Sequence, residues 1–119
     1  MKITILKLIN AIQVLDKIMS KEFTPATSFK LVKLTKAINS EIEIYEKERI
    51  KLLEKYGEKN EDTNTYKILY ENKEKWEKYM NDLFTLEVEI SADKVNLINE
   101  DIKISPVDMI KIEDFVEIV

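Results

Sequence analysis

The sequence predicts an α+β domain that is mainly helical: an antiparallel bundle of three helices, a small C-terminal β unit of two or three strands, and a closing helix. Three observations carry this. Apolar residues recur at steps of three and four over most of the first 85 positions. The apolar period switches to two after Thr85. Glycine occurs once and proline twice in 119 residues, which leaves long elements unbroken. A chain of this length buries roughly two thirds of its unfolded surface around one core. Residues 1–119 therefore read as a single domain, helical over 1–85, with the β unit and last helix over 86–119.

Met1 to Ile5 alternates apolar and polar residues, with Ile3 and Ile5 on one side, and reads as a short strand. From Leu6 to Met19 the residues Leu8, Ile12, Leu15 and Met19 define one face of an amphipathic helix, widened by Ile5, Ile9 and Ile18. Ser20 to Pro25 interrupts the pattern. The proline disfavours helical geometry at Thr24 yet suits the first turn of a new helix, so Thr24 is the expected N-cap.

From Ala26 to Tyr56 the stripe Leu31, Leu34, Ile38, Ile42, Tyr45, Arg49, Leu52, Tyr56 predicts a helix of about eight turns. Gly57 then marks its end as a left-handed C′ residue. Glu58 to Thr65 reads as a polar surface loop. A third helix is expected over Tyr66 to Phe84, through Leu69, Trp76, Tyr79, Met80 and Leu83, with Trp76 as its core anchor.

Leu86, Val88 and Ile90 alternate with Glu87 and Glu89, and the pairs Val95/Leu97 and Ile102/Ile104 continue that period; these are the short strands. Ser105, Pro106 and Asp108 mark the start of a final helix running to about Glu117, with Met109, Ile112, Val116 and Val119 on one side.

Composition narrows the chemistry. The chain has no His, no Cys and one Arg, Arg49. The side chain that titrates near neutrality and the readiest nucleophile and soft metal ligand are therefore missing. No Gly-rich phosphate loop, dinucleotide fingerprint or nucleophile elbow is present. The expectation is a protein that is not an enzyme, holds no cofactor and has no metal site. Ile3 to Ile18 is broken by Lys7, Asn10, Gln13, Asp16 and Lys17, so neither a signal peptide nor a membrane span is expected. The abundance of Lys, Ile, Glu and Asn with almost no Arg is the bias of an AT-rich genome.

Charge is uneven. Residues 1–40 hold seven Lys against Asp16 and Glu22, giving +5; residues 41–119 hold twelve basic and twenty-one acidic side chains, giving −9; together they make the net −4. Such a split steers association with a charged partner or with another copy.

Several segments resemble a family of small, uncharacterised phage and prophage proteins from low-GC Gram-positive bacteria, defined only as a domain of unknown function. They are Leu8 to Leu15 (LINAIQVL), Pro25 to Leu31 (PATSFKL), Tyr45 to Lys59 (YEKERIKLLEKYGEK), and Glu87 to Ile90 followed by Ile104, Ser105 and Pro106. They are spread from Leu8 to Pro106 and together make up 37 of the 119 residues. The resemblance implies a phage origin and the host cytoplasm, or the virion, as its setting. It supplies no site and no reaction.

The candidate binding residues are Arg49, five lysines and three tyrosines. Arg49 is the one polar member of the long helix's apolar stripe. Its guanidinium can fork onto a carboxylate or phosphate, or lie at the helix edge against Glu46 or Glu48. Lys17, Lys21, Lys30, Lys33 and Lys36 gather near the first helix junction with Phe23 and Phe29. That mixture suits an anion; overall acidity argues against nucleic acid, while a small anionic nucleotide needs fewer charges.

Tyr45, Tyr56, Tyr66, Tyr70 and Tyr79 exceed what three helices hide, so some of them, with Tyr45, Tyr66 and Tyr70 as candidates, face a partner. Asp93, Glu100, Asp101 and Asp108 match no calcium loop and read as a solvated acidic face. The expected function is stoichiometric contact with a protein, host or phage, such as a defence factor. Two other readings stand beside it: a virion or assembly component that self-associates through the long helix, and a sponge for anionic nucleotides built on Arg49 and the lysines.

Overall fold

A computed structural model describes residues 1–118. The strand β1 (Lys2–Thr4) leads into helix α1 (Ile5–Ile18). Thr4 is the N-cap, its hydroxyl accepting from the Lys7 N–H at 3.3 Å. A turn then opens α2 (Pro25–Tyr56), 32 residues long, with Pro25 at its first position and Thr24 as the extended N-cap. That is the geometry the proline dictates. The Thr24 hydroxyl does not cap the helix, however. It donates to Glu100 at 2.7 Å, and the Thr24 N–H donates to the same carboxylate at 3.3 Å. A carboxylate beside the first turn of a long helix complements its dipole.

Helices α1 and α2, joined by a short turn, and α3 (Lys73–Thr85) pack on one another to form the antiparallel bundle. The closing helix α4 (Pro106–Ile112) lies on α1, its start beside Lys17 and its end beside Lys7, as the ion pairs Lys17–Asp108 and Lys7–Asp114 show. The core comes from every one of these helices. Leu8, Leu15, Leu31, Leu34, Ile38, Ile90, Ile112 and Phe115 are essentially inaccessible. Each such side chain contributes about 1.5–3 kcal/mol on burial. The one buried polar residue among those described, Thr35, donates to the Leu31 carbonyl at 3.0 Å, so its burial leaves no orphan group.

Two of the expected strands after Thr85 form, but they pair in an unforeseen way. β4 (Glu87–Glu89) is antiparallel to β1, with Ile3 opposite Val88. β5 (Val95–Asn96) is parallel to β6 (Val116–Glu117), Val95 donating to the Phe115 carbonyl at 2.9 Å. Ile102 and Ile104 lie in no strand; they are partly buried side chains packed against the core. The final helix stops at Ile112, so Val116 sits in β6, and Val119 lies outside the described residues.

Gly57 is also different from expectation. Its backbone is extended (φ −112°, ψ 169°), not left-handed, and it begins a strand, β2 (Gly57–Asn60), antiparallel to β3 (Thr65–Ile68). The polar stretch from Glu58 to Thr65 is therefore a hairpin whose turn uses Asn64 in the left-handed region (φ 54°), which asparagine tolerates. Glycine is needed at position 57 for room. A Cβ there would lie 2.7 Å from the Leu53 carbonyl oxygen and 3.2 Å from that of Lys67.

This hairpin displaces the start of the third helix from Tyr66 to Lys73, after a single 3₁₀ turn over Tyr70–Asn72. Trp76 is partly buried against the core rather than inside it. The molecule measures 53 × 31 × 24 Å, with the hairpin and 3₁₀ turn gathered at the C-terminal end of α2.

Candidate functional site

A concavity on the surface lies between the N-terminal half of α2 and the segment linking β4 to β5. It is a groove of about 590 Å³ lined by Phe29, Lys30, Lys33, Lys36 and residues 91–95, including Asp93 and Lys94. The helix builds one wall. Lys30, Lys33 and Lys36 stand at spacing i, i+3, i+6, so their stems form one row along α2, while Leu31, Leu34 and Thr35 face inward. The other wall is fixed by the β5–β6 pair: Val95 is buried and hydrogen-bonded, which holds Lys94 and Asp93 against the lysine row.

Phe29 is unusual here. It is 64% exposed, and the Lys33 ammonium stands 5.2 Å from its ring centroid. Among the described residues none of Lys30, Lys33, Lys36 or Lys94 takes part in an ion pair. The groove thus offers four cations, one carboxylate and an exposed aromatic ring against which Lys33 stands.

The other expected site residues lie elsewhere. Lys17 is committed to Asp108 at 3.1 Å, an interaction that holds the Asp108 carboxyl below its usual range. Lys21 is exposed in the turn after α1 and does not line the groove. Arg49 forks onto Glu46, Nε at 3.2 Å and a terminal nitrogen at 2.9 Å from the same oxygen. That hydrogen bonding raises the Arg49 pKa further. Arg49 lies thirteen residues beyond Lys36 on the same helix, about 20 Å along its axis, so arginine and lysines do not form a single anion site.

Tyr45, expected to meet a partner, is 7% exposed and packs its ring 5.9 Å from that of Phe84. Burial pushes its phenol pKa up. Tyr66 is half-buried on the hairpin, whereas Tyr70 is 93% exposed. The four carboxylates of the acidic segment have different partners or surroundings, Asp101 being exposed. Glu100 binds Thr24, which lowers its pKa; Asp108 binds Lys17; Asp93 lies in the groove. Among the described residues no group of three or more metal-ligating side chains converges. None of the described helices is long and apolar enough to cross a membrane.

Two features of the groove had no signal in the sequence. Lys94 sits more than fifty positions from the lysine row, and Asp93 lines the groove with lysines instead of joining a solvated acidic face. Only the parallel β5–β6 pairing brings them to α2. Comparisons of the chain with family models, with curated proteins and with solved structures find no match.

Proposed function

We propose that this protein is a non-catalytic, phage- or prophage-encoded binder that acts by stoichiometric contact, receiving an acidic segment of a host or phage protein in the groove between α2 and residues 91–95. The observation that supports it best is the row of lysines outside any ion pair beside the exposed ring of Phe29, with Lys33 against it. Lysines whose charges are unmatched within the fold are available to steer and hold carboxylates. An exposed phenylalanine contributes apolar area that surface lysines alone lack. The net charge of −4 disfavours a nucleic-acid strand, whose affinity rests on phosphate neutralisation.

Titration of a fluorescein-labelled glutamate–tyrosine peptide, followed by anisotropy at low salt, tests this. Binding is expected to weaken roughly tenfold or more in Lys33→Glu/Lys36→Glu, since each reversal sets like charges together. Both side chains are exposed, so the fold is retained. Equal binding by the wild type and this variant, or none by either, contradicts the reading.

The groove's volume supports one second reading. About 590 Å³ falls in the range of small-ligand sites, and lysines with an aromatic face suit a nucleotide's phosphates and base. A saturating mononucleotide then raises the melting temperature of the wild type but not of the lysine variant.

A further inference from the structure

The far end of the molecule carries the complement of this groove. Tyr70 projects from the 3₁₀ turn, which Asn72 and Leu69 fasten to the Tyr56 carbonyl at 3.3 Å each. Running from it into α3 are Glu71, Glu74 and Glu77, which with Tyr70 and Lys73 border a shallow surface concavity. All three glutamates are exposed, and among the described residues none is ion-paired.

Set beside α2, the order matches position for position. Phe29-Lys30, Lys33 and Lys36 have the spacing of Tyr70-Glu71, Glu74 and Glu77, an aromatic followed by charges at i, i+3 and i+6 of opposite sign. Each surface also holds one residue of the other sign, Asp93 in the groove and Lys73 beside the glutamates. Lys33 and the C-terminal residue of α2, to which the Tyr70 turn is tied, are 23 residues apart on one helix, about 35 Å. The two surfaces cannot meet within one molecule.

We propose that the groove of one copy receives the Tyr70–Glu77 segment of a second copy, giving a head-to-tail association. In parallel alignment Lys30, Lys33 and Lys36 face Glu71, Glu74 and Glu77, and Phe29 meets Tyr70. The two patches differ, so the contact is heterologous and propagates into rings or open chains instead of stopping at a two-fold dimer. Individually exposed ion pairs are weak; three in register, with an aromatic contact, give a reversible and salt-sensitive assembly. This deepens the reading of the groove as an acid-binding surface by naming what fills it, so an acidic partner competes with self-association.

Sedimentation velocity over a concentration series tests it with three proteins: wild type, the groove-reversed Lys33→Glu/Lys36→Glu, and the stripe-reversed Glu74→Lys/Glu77→Lys. The wild type is expected to grow in sedimentation coefficient with concentration at low salt. It should lose that growth near about 1 M salt, where the screening length is about 3 Å. Each reversed protein alone should associate roughly a hundredfold more weakly, because attraction becomes like-charge repulsion. Mixing the two should restore assembly, since each then supplies the sign that the other lacks.

A wild type that stays monomeric throughout, reversed proteins that assemble alone, or a mixture that fails to assemble overturns the proposal. The labelled peptide separates the two levels. If it binds the stripe-reversed protein and the wild type equally while no assembly occurs, only self-association fails. If it binds neither, the groove reading itself fails.

Discussion

Single residues decide where this chain turns. Gly57 sits where α2 passes directly into a strand, and the Leu53 carbonyl leaves no space for a methyl group. Gly57→Ala is expected to destabilise the protein by about 1–3 kcal/mol through backbone displacement, read as a lower midpoint in urea unfolding. Its position at the helix end was legible in the sequence; its conformation was not. A helix followed by a left-handed glycine and a helix followed by a glycine in a strand look alike until the strand's partner, Thr65 to Ile68, is known. Phe115 is a second case. It is fully buried at the junction of α4 and β6, though the apolar pattern singled out its neighbours instead. Phe115→Ala should cost about 3–5 kcal/mol, the range for deleting a large ring from a packed core, and a loss below about 1 kcal/mol in the same measurement contradicts its placement.

At the scale of elements, long periodic segments were readable and pairings were not. The eight-turn helix expected from Ala26 to Tyr56 and the start signals at Thr24–Pro25 and Ser105–Pro106 translate directly into α2 and α4, because helix patterns are local. Strand partners are nonlocal. Nothing near Glu87 announces that it pairs with Thr4, nor that Val95 runs parallel to Val116. Polar ties join these elements at helix starts. Thr24 at the head of α2 holds Glu100, and Lys17 holds Asp108 in the first turn of α4; both carboxyls titrate below their usual range for that reason. A carboxyl with a lowered pKa in the folded state favours folding above its unfolded value, about 4. That contribution is lost as the pH falls through the lowered folded value. The melting temperature of Glu100→Gln/Asp108→Asn should therefore lie below that of the wild type at neutral pH, with the gap closing as the pH falls below about 4. A gap that stays constant or widens on acidification is the contrary result.

On the scale of the whole molecule, the notable property is where charge and bare aromatic surface are placed. Lys30, Lys33 and Lys36 were identifiable as a cluster because they share one helix, and the structure keeps them together. Lys17, Lys21, Arg49 and Tyr45 were close in sequence or pattern, but packing separates them: one pairs with α4, one lies in a turn, one is tied to its own helix and one is inside the core. The charge imbalance between the two parts of the chain was countable from composition, whereas the groove beside the lysine row required the packing of β5 against α2.

The binding role proposed for that groove is tested most directly by amide chemical-shift mapping of ¹⁵N-labelled protein titrated with the glutamate–tyrosine peptide at low salt. Perturbations should concentrate in residues 29–36 and 91–95, accompanied by residues 70–77 where the peptide displaces a second copy, and vanish in Lys33→Glu/Lys36→Glu. Shifts scattered over the surface, or centred on any other face and unchanged by that substitution, would show that the lysine groove is not where this protein binds.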